Sequence, residues 1–213
     1  MAVQRDSDRR RSIRLREYDY ASPGAYFVTL CTHGGEALFG QVVDGEMVLN
    51  ECGRVIEEEW HSTARLRPYV RLDAYVIMPN HFHGILWIDH TGRGMARHAP
   101  TREFGKPVAA SLPTLVGAFK SAVTRRINQV RGTPGVQVWQ RNYWEHVIRT
   151  DRALNAIRRY IADNPARWTL DRYNLAATGS DPRVADLWRM LRDDAATVGA
   201  RRAMPLRRRR EER

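Results

Sequence analysis

The sequence predicts an α+β fold, a mostly antiparallel β-sheet with helices packed on one face. Three observations lead there: short β-branched and aromatic runs bounded by turn residues, amphipathic helical stretches alternating with them, and at least two hairpin signatures. A length of 213 residues suits one domain with a proper core, and no internal repeat is present.

The first strand is "GAYFVTLCT", residues 24–32, rich in aromatic and β-branched side chains. In "LFGQVVDGEMVLN" the pair Asp44-Gly45 separates two short apolar runs and reads as a hairpin turn. Asn50 is placed to cap a helix over "ECGRVIEEEWHSTARL", where Val55, Ile56, Trp60 and Ala64 recur at helical spacing. Two strands follow, "VRLDAYVIM" and "HFHGILWID", joined at Pro79-Asn80, a proline that cannot donate to a ladder and an asparagine that tolerates turn geometry. Residues 90–110 are rich in Gly, Pro, Arg and Lys without periodicity and read as a long loop or insertion. Ser111 then starts an amphipathic helix with Leu115, Val116, Phe119, Val123 and Ile127 on one face. "VQVWQRNYWEHVI" reads as strand-like after the Pro134-Gly135 turn. Thr150 caps a last helix, "DRALNAIRRYIADN", striped with Leu154, Ile157 and Ile161 and ended by Pro165. Beyond about Arg172 no motif stands out.

The net charge of +11 sits mostly in the ends. Residues 1–16 carry six arginines against two aspartates and residues 201–213 seven against two glutamates, which leaves about +2 for everything between. Such ends read as flexible basic arms that favour polyanions, nucleic acid among them. Cys31 and Cys52 have neither the spacing of a disulfide framework nor that of a zinc knuckle, and no signal peptide or apolar run of about 18 residues is present. A reducing cytoplasm, with no membrane partner, is the expectation.

His81 and His83 share one face of their strand, so they can converge on a single ion, or serve as ordinary hydrogen-bonded strand residues. Two imidazoles need further donors, and no nearby His, Cys or Asp cluster offers them. One distant possibility is "RRYIADNPARW", in which Tyr160 and Asn164 stand four apart on a helix face. An amide oxygen suits magnesium or manganese, and a phenol beside an ion is a possible nucleophile; a packed aromatic and a plain helix stop are the alternatives.

In order and local sequence, "MPNHFHGIL", "WQRNYWEHVIR" and "YIADNPARW" together resemble the REP-associated tyrosine transposases, within the single-tyrosine HUH endonucleases. The resemblance covers roughly residues 24–168. It implies a ferredoxin- or RRM-like HUH fold, with a catalytic domain over 17–172 between the arm at 1–16 and an extension over 173–213. It further implies His81, His83 and Asn164 as ligands of Mg²⁺ or Mn²⁺, Tyr160 as nucleophile, and His146 at a signature histidine of unassigned role. The implied reaction is cleavage and rejoining of single-stranded DNA through a 5′-phosphotyrosine, on imperfect hairpins of repetitive extragenic palindromes in a nucleoid-associated setting. Lys120, Arg125, Arg126 and Arg141, with the basic segment 93–106 and the arms, are expected to follow phosphates. An idle DNA-hairpin-binding protein and a phosphoesterase using activated water are the competing readings, and monomer or homodimer is left open.

Overall fold

The computed structural model describes residues 18–89 and 110–197. The basic arm at 1–16, the 90–110 loop except its last residue, and the Arg-rich tail at 201–213 lie outside the described residues.

Four strands form one antiparallel sheet. They are β1 (Gly24–Cys31), β4 (Val70–Met78), β5 (His81–Ile88) and β6 (Trp144–Ile148), in the order β4-β5-β1-β6. Between β1 and β4 lie the hairpin β2 (Gly40–Val43) and β3 (Glu46–Leu49) and the helix α1 (Glu51–Arg65). The hairpin turns at Asp44 (φ 51°) and Gly45 (φ 79°), two left-handed residues in succession, as the Asp-Gly pair predicts. Asn50 caps α1 as expected, its Oδ1 accepting from Gly53 N–H at 2.9 Å. α2 (Leu112–Arg131) follows the segment outside the described residues, and α3 (Asp151–Asp163) follows β6. Thr150 caps α3 through its hydroxyl, but Ser111 bonds Thr114 Oγ1 rather than a backbone N–H of α2. Past Asn164 the chain continues in a 3₁₀ turn over Pro165–Leu170, so Pro165 opens a new turn where the α-helix stops.

The α+β class and the antiparallel sheet are as predicted, but the helices lie on both faces of the sheet. Alternate residues of β1 and β5, among them Tyr26, Val28, Phe82 and Leu86, pack with α1 and α2. Their neighbours Ala25, Phe27, Ile85 and Trp87 pack with Leu154, Ile157 and Ile161 of α3 and with Leu187 and Leu191 of a further helix, α4 (Pro182–Thr197). Burial on both sides explains why every residue of β5 is buried and why its sequence is nearly continuously apolar. α4 falls in the segment where the sequence showed no motif. On the α1 side Gly84 is forced: a Cβ there would come within 2.8 Å of the Phe82 and Trp60 rings. Among the described residues no helix is long and apolar enough to cross a membrane.

Candidate active site

Strand alternation turns His81 and His83 toward the α3 side of the sheet, with Phe82 in the opposite layer. The antiparallel register sets Thr29 of β1 directly opposite His83, and Thr29 Oγ1 lies 2.8 Å from His83 Nδ1. The other ring nitrogen, Nε2, lies 3.1 Å from the Tyr160 hydroxyl. The two imidazole rings stand edge to face with centroids 4.6 Å apart.

α3 is held over this face by packing and by charge. Leu154, Ile157 and Ile161 form its buried stripe, and the Arg158 guanidinium grips both oxygens of Asp73 at 2.8 and 2.6 Å. Asp73 reaches α3 because β4 carries a bulge there: Leu72 pairs with Leu86 and Tyr75 with Gly84, so two residues oppose one. Burial raises the Asp73 pKa, but the donors of Arg158, Trp87 and Ala74 outweigh it and hold the carboxyl down at about 2. Tyr160 and Asn164, one turn apart on this pinned helix, both reach the histidines.

The tautomer of His81 follows from its neighbour. Asn80 Nδ2 donates to the carbonyls of Gly35 (3.2 Å) and Tyr173 (2.7 Å), which can only accept, so the amide oxygen is the atom 3.0 Å from His81 Nδ1. Nδ1 therefore carries the proton and Nε2 is a lone pair. That lone pair is buried and has no hydrogen-bond partner, and neither has Asn164 Oδ1. Asp171 Oδ2 lies 3.8 Å from the same nitrogen.

Burial lowers the His81 pKa to about 3, partly offset by the Asn164 side chain, and burial with the neighbouring His81 drives His83 well below its ordinary value. Both rings are thus neutral, the form that binds metal. Burial raises the Tyr160 phenol, Asp171 and Tyr173 raise it further, and Asn164 and Arg172 oppose the rise. Asp171 is also raised, first by burial.

The donor set could hold a divalent ion: an orphaned imidazole lone pair and a second neutral imidazole, donors that transition metals take, beside an orphaned amide oxygen of the kind Mg²⁺ or Mn²⁺ takes. Among the described residues no three His, Cys, Asp or Glu side chains alone gather into such a group, so the Asn164 amide is needed to complete it. His81 and His83 are 0% and 1% exposed. Their cover is polar and aromatic: Tyr160, Asn164, Asp171, and the rings of Trp168 and Tyr173 against His81. Behind that cover, between α3 and the stretch leading into α4, lies a cavity of about 740 Å³ with Arg152, Arg159, Arg172, Tyr160, Asn164 and Asp171 in its walls.

The cations singled out from sequence lie elsewhere. Lys120 Nζ is half-buried and donates to the carbonyls of Gln140, Arg141 and Asn142, and Arg126 pairs with Glu58 and Glu59 of α1. With Arg125 they sit on α2, across the sheet from the histidines; Arg125 and Arg141 are exposed. His146 is on β6 opposite Phe27, its ring stacked on Trp144. Sequence reasoning missed Thr29, Asp171, Tyr173 and the arginines of the cavity, and gave Asn80 only a turn role. Thr29 becomes visible once the β1–β5 register is known; the others carry no local signal.

No family model matches the chain. A Haemophilus influenzae protein described as an uncharacterized protein is 37% identical over 169 residues, which span 76% of this chain and 91% of that one. The chain belongs to that protein's family. Among solved structures, a REP-associated tyrosine transposase bound to a REP hairpin is similar at 18% identity and a TM-score of 0.46, over 72% of this chain and 73% of that one. A Deinococcus radiodurans protein described as a putative transposase is similar at 17% identity and a TM-score of 0.40, over 70% and 95%. Both superpositions are loose, and the roles of single residues in this family member rest on its own geometry.

Proposed function

We propose that the protein cleaves and rejoins single-stranded DNA by metal-dependent transesterification, with Tyr160 as nucleophile and a 5′-phosphotyrosine as intermediate. One observation carries this reading: Tyr160 and His83, 77 residues apart, meet at 3.1 Å. Chance packing of an aromatic on α3 and a histidine on β5 does not call for that contact, nor for Asn164 beside Tyr160 and His81.

Tyr160 Oη attacks the phosphorus and the bond to the 3′-oxygen breaks, leaving a free 3′-hydroxyl and a strand joined through its 5′-phosphate to the enzyme. The phosphotyrosine conserves the bond energy, so the 3′-hydroxyl can reverse the step without ATP. A Mg²⁺ or Mn²⁺ held by His81, His83 and Asn164 would draw charge from a non-bridging phosphate oxygen and orient the strand. Arg152 and Arg159, exposed on the wall of the cavity beside Tyr160, suit the phosphates flanking the reacting one. A duplex cannot bring a phosphate into so covered a site, which favours single strands and the open parts of REP-type hairpins. The raised pKa keeps the Tyr160 phenol protonated in this arrangement, and an ion held at His83 Nε2 would require the hydroxyl to leave that nitrogen.

Incubation with a labelled single-stranded hairpin and Mg²⁺ or Mn²⁺ tests the proposal. Cleavage is expected from the wild type and none from Tyr160→Phe, whose DNA affinity stays within a few-fold. A phosphoesterase using activated water would cleave equally well as the Phe variant, and an idle binding protein would not cleave at all.

A further inference from the structure

Asp171 follows the 3₁₀ turn that continues α3, and its side chain is 5% exposed. Its Oδ1 accepts from the Tyr173 backbone N–H at 2.7 Å, which leaves Oδ2 as the atom facing His81 Nε2 at 3.8 Å. Asn80 fixes that nitrogen as a lone pair, and Asn164 Oδ1 beside it is also buried without a partner. A buried lone pair facing a carboxylate oxygen and a buried amide oxygen without a donor thus lie close together, the Asn164 side chain being within reach of both His81 and Asp171. An imidazole lone pair and a carboxylate oxygen so arranged repel unless a cation stands between them. Two ligands of one octahedral ion, with bonds of about 2.1 Å, are about 3.0 Å apart when adjacent and about 4.2 Å when opposite. The observed 3.8 Å equals neither separation but lies within about 1 Å of both.

We propose that Asp171 is a further protein ligand of the divalent ion, joining His81 and Asn164 through Oδ2; because His81, His83 and Asp171 do not by themselves gather into a metal-holding group, ligation draws Oδ2 inward. The inference rests on the metal-dependent reading above and adds an anionic ligand to an otherwise neutral set. A carboxylate strengthens the hold on Mg²⁺ or Mn²⁺ and tips selectivity toward hard cations.

The test is Mn²⁺ binding to the full chain without DNA, by calorimetry and by pulsed electron–nuclear resonance on wild-type protein carrying ¹³C-carboxyl aspartate. Asp171→Asn is expected to weaken binding by more than the roughly 10- to 100-fold that loss of a mere outer-shell partner can cause. Asp186→Asn, on the exposed face of α4, should leave it unchanged. Wild-type protein should show ¹³C coupling from one aspartate carboxyl to the bound Mn²⁺, a result that does not depend on the variant folding. Wild-type binding with no such coupling overturns the ligation, even if Asp171→Asn binds more weakly. No Mn²⁺ binding by the wild type would overturn both this inference and the metal-dependent reading, whereas equal affinity in Asp171→Asn with normal DNA cleavage would remove Asp171 alone.

Discussion

Asn80 shows how much one buried amide can decide. Both of its amide hydrogens go to carbonyls, of Gly35 and Tyr173, so its oxygen must take the Nδ1 proton of His81 and leave Nε2 free for an ion. In Asn80→Ala the ring loses that partner and both tautomers become available. Mn²⁺ affinity should then fall by roughly 10- to 100-fold, and the ¹⁵N shifts of His81 should change from a single-tautomer pattern to a mixture. A purely structural role for Asn80 would lower the melting temperature and leave the shift pattern as it was.

At the scale of elements, α3 matters most, because it carries Tyr160, the proposed nucleophile, and is fastened to the sheet that carries the histidines. The Asp73–Arg158 pair and the buried Ile157 and Ile161 hold it there within one chain. Tyr160 is therefore expected to serve the histidines of its own chain. Mixing inactive Tyr160→Phe with inactive His81→Ala should restore no cleavage, and the specific activity of the wild type should not change on dilution; recovery of activity in the mixture would show exchange of α3 between subunits. The helices and strands were legible in the sequence wherever periodicity and caps agreed, as at Asn50, Thr150 and the Asp44-Gly45 turn. The bulge at Asp73 was not legible, since a two-against-one pairing depends on the partner strand and leaves no mark in the local pattern. α4 was overlooked although Val184, Leu187, Trp188 and Leu191 repeat at helical spacing, because arginines and aspartates surround so short a stripe. The second helical layer was missed with it, and the continuous apolar run of β5 was the sign that both faces of the sheet are covered.

For the whole molecule, the sheet separates two tasks. On one side α1 and α2 build the larger apolar core; on the other α3, α4 and the turn between them enclose a small polar chamber holding His81, His83, Asn164 and Asp171. His81, His83, Tyr160 and Asn164 were readable from local sequence and resemblance, whereas Asp171 and Asn80 acquire meaning only from where the chain brings them. The division also explains why the cations on α2 lie far from the histidines, whereas Arg152 and Arg159 of α3 line the cavity beside Tyr160. The central claim is that Tyr160 becomes the covalent partner of DNA. The most direct measurement is mass spectrometry of the proteolysed adduct formed with a single-stranded hairpin in Mg²⁺. A nucleotide 5′-phosphate attached at Tyr160, in the peptide that runs into Asn164-Pro165, is the expected result; DNA cleaved with no adduct, or an adduct on any other residue, would contradict it.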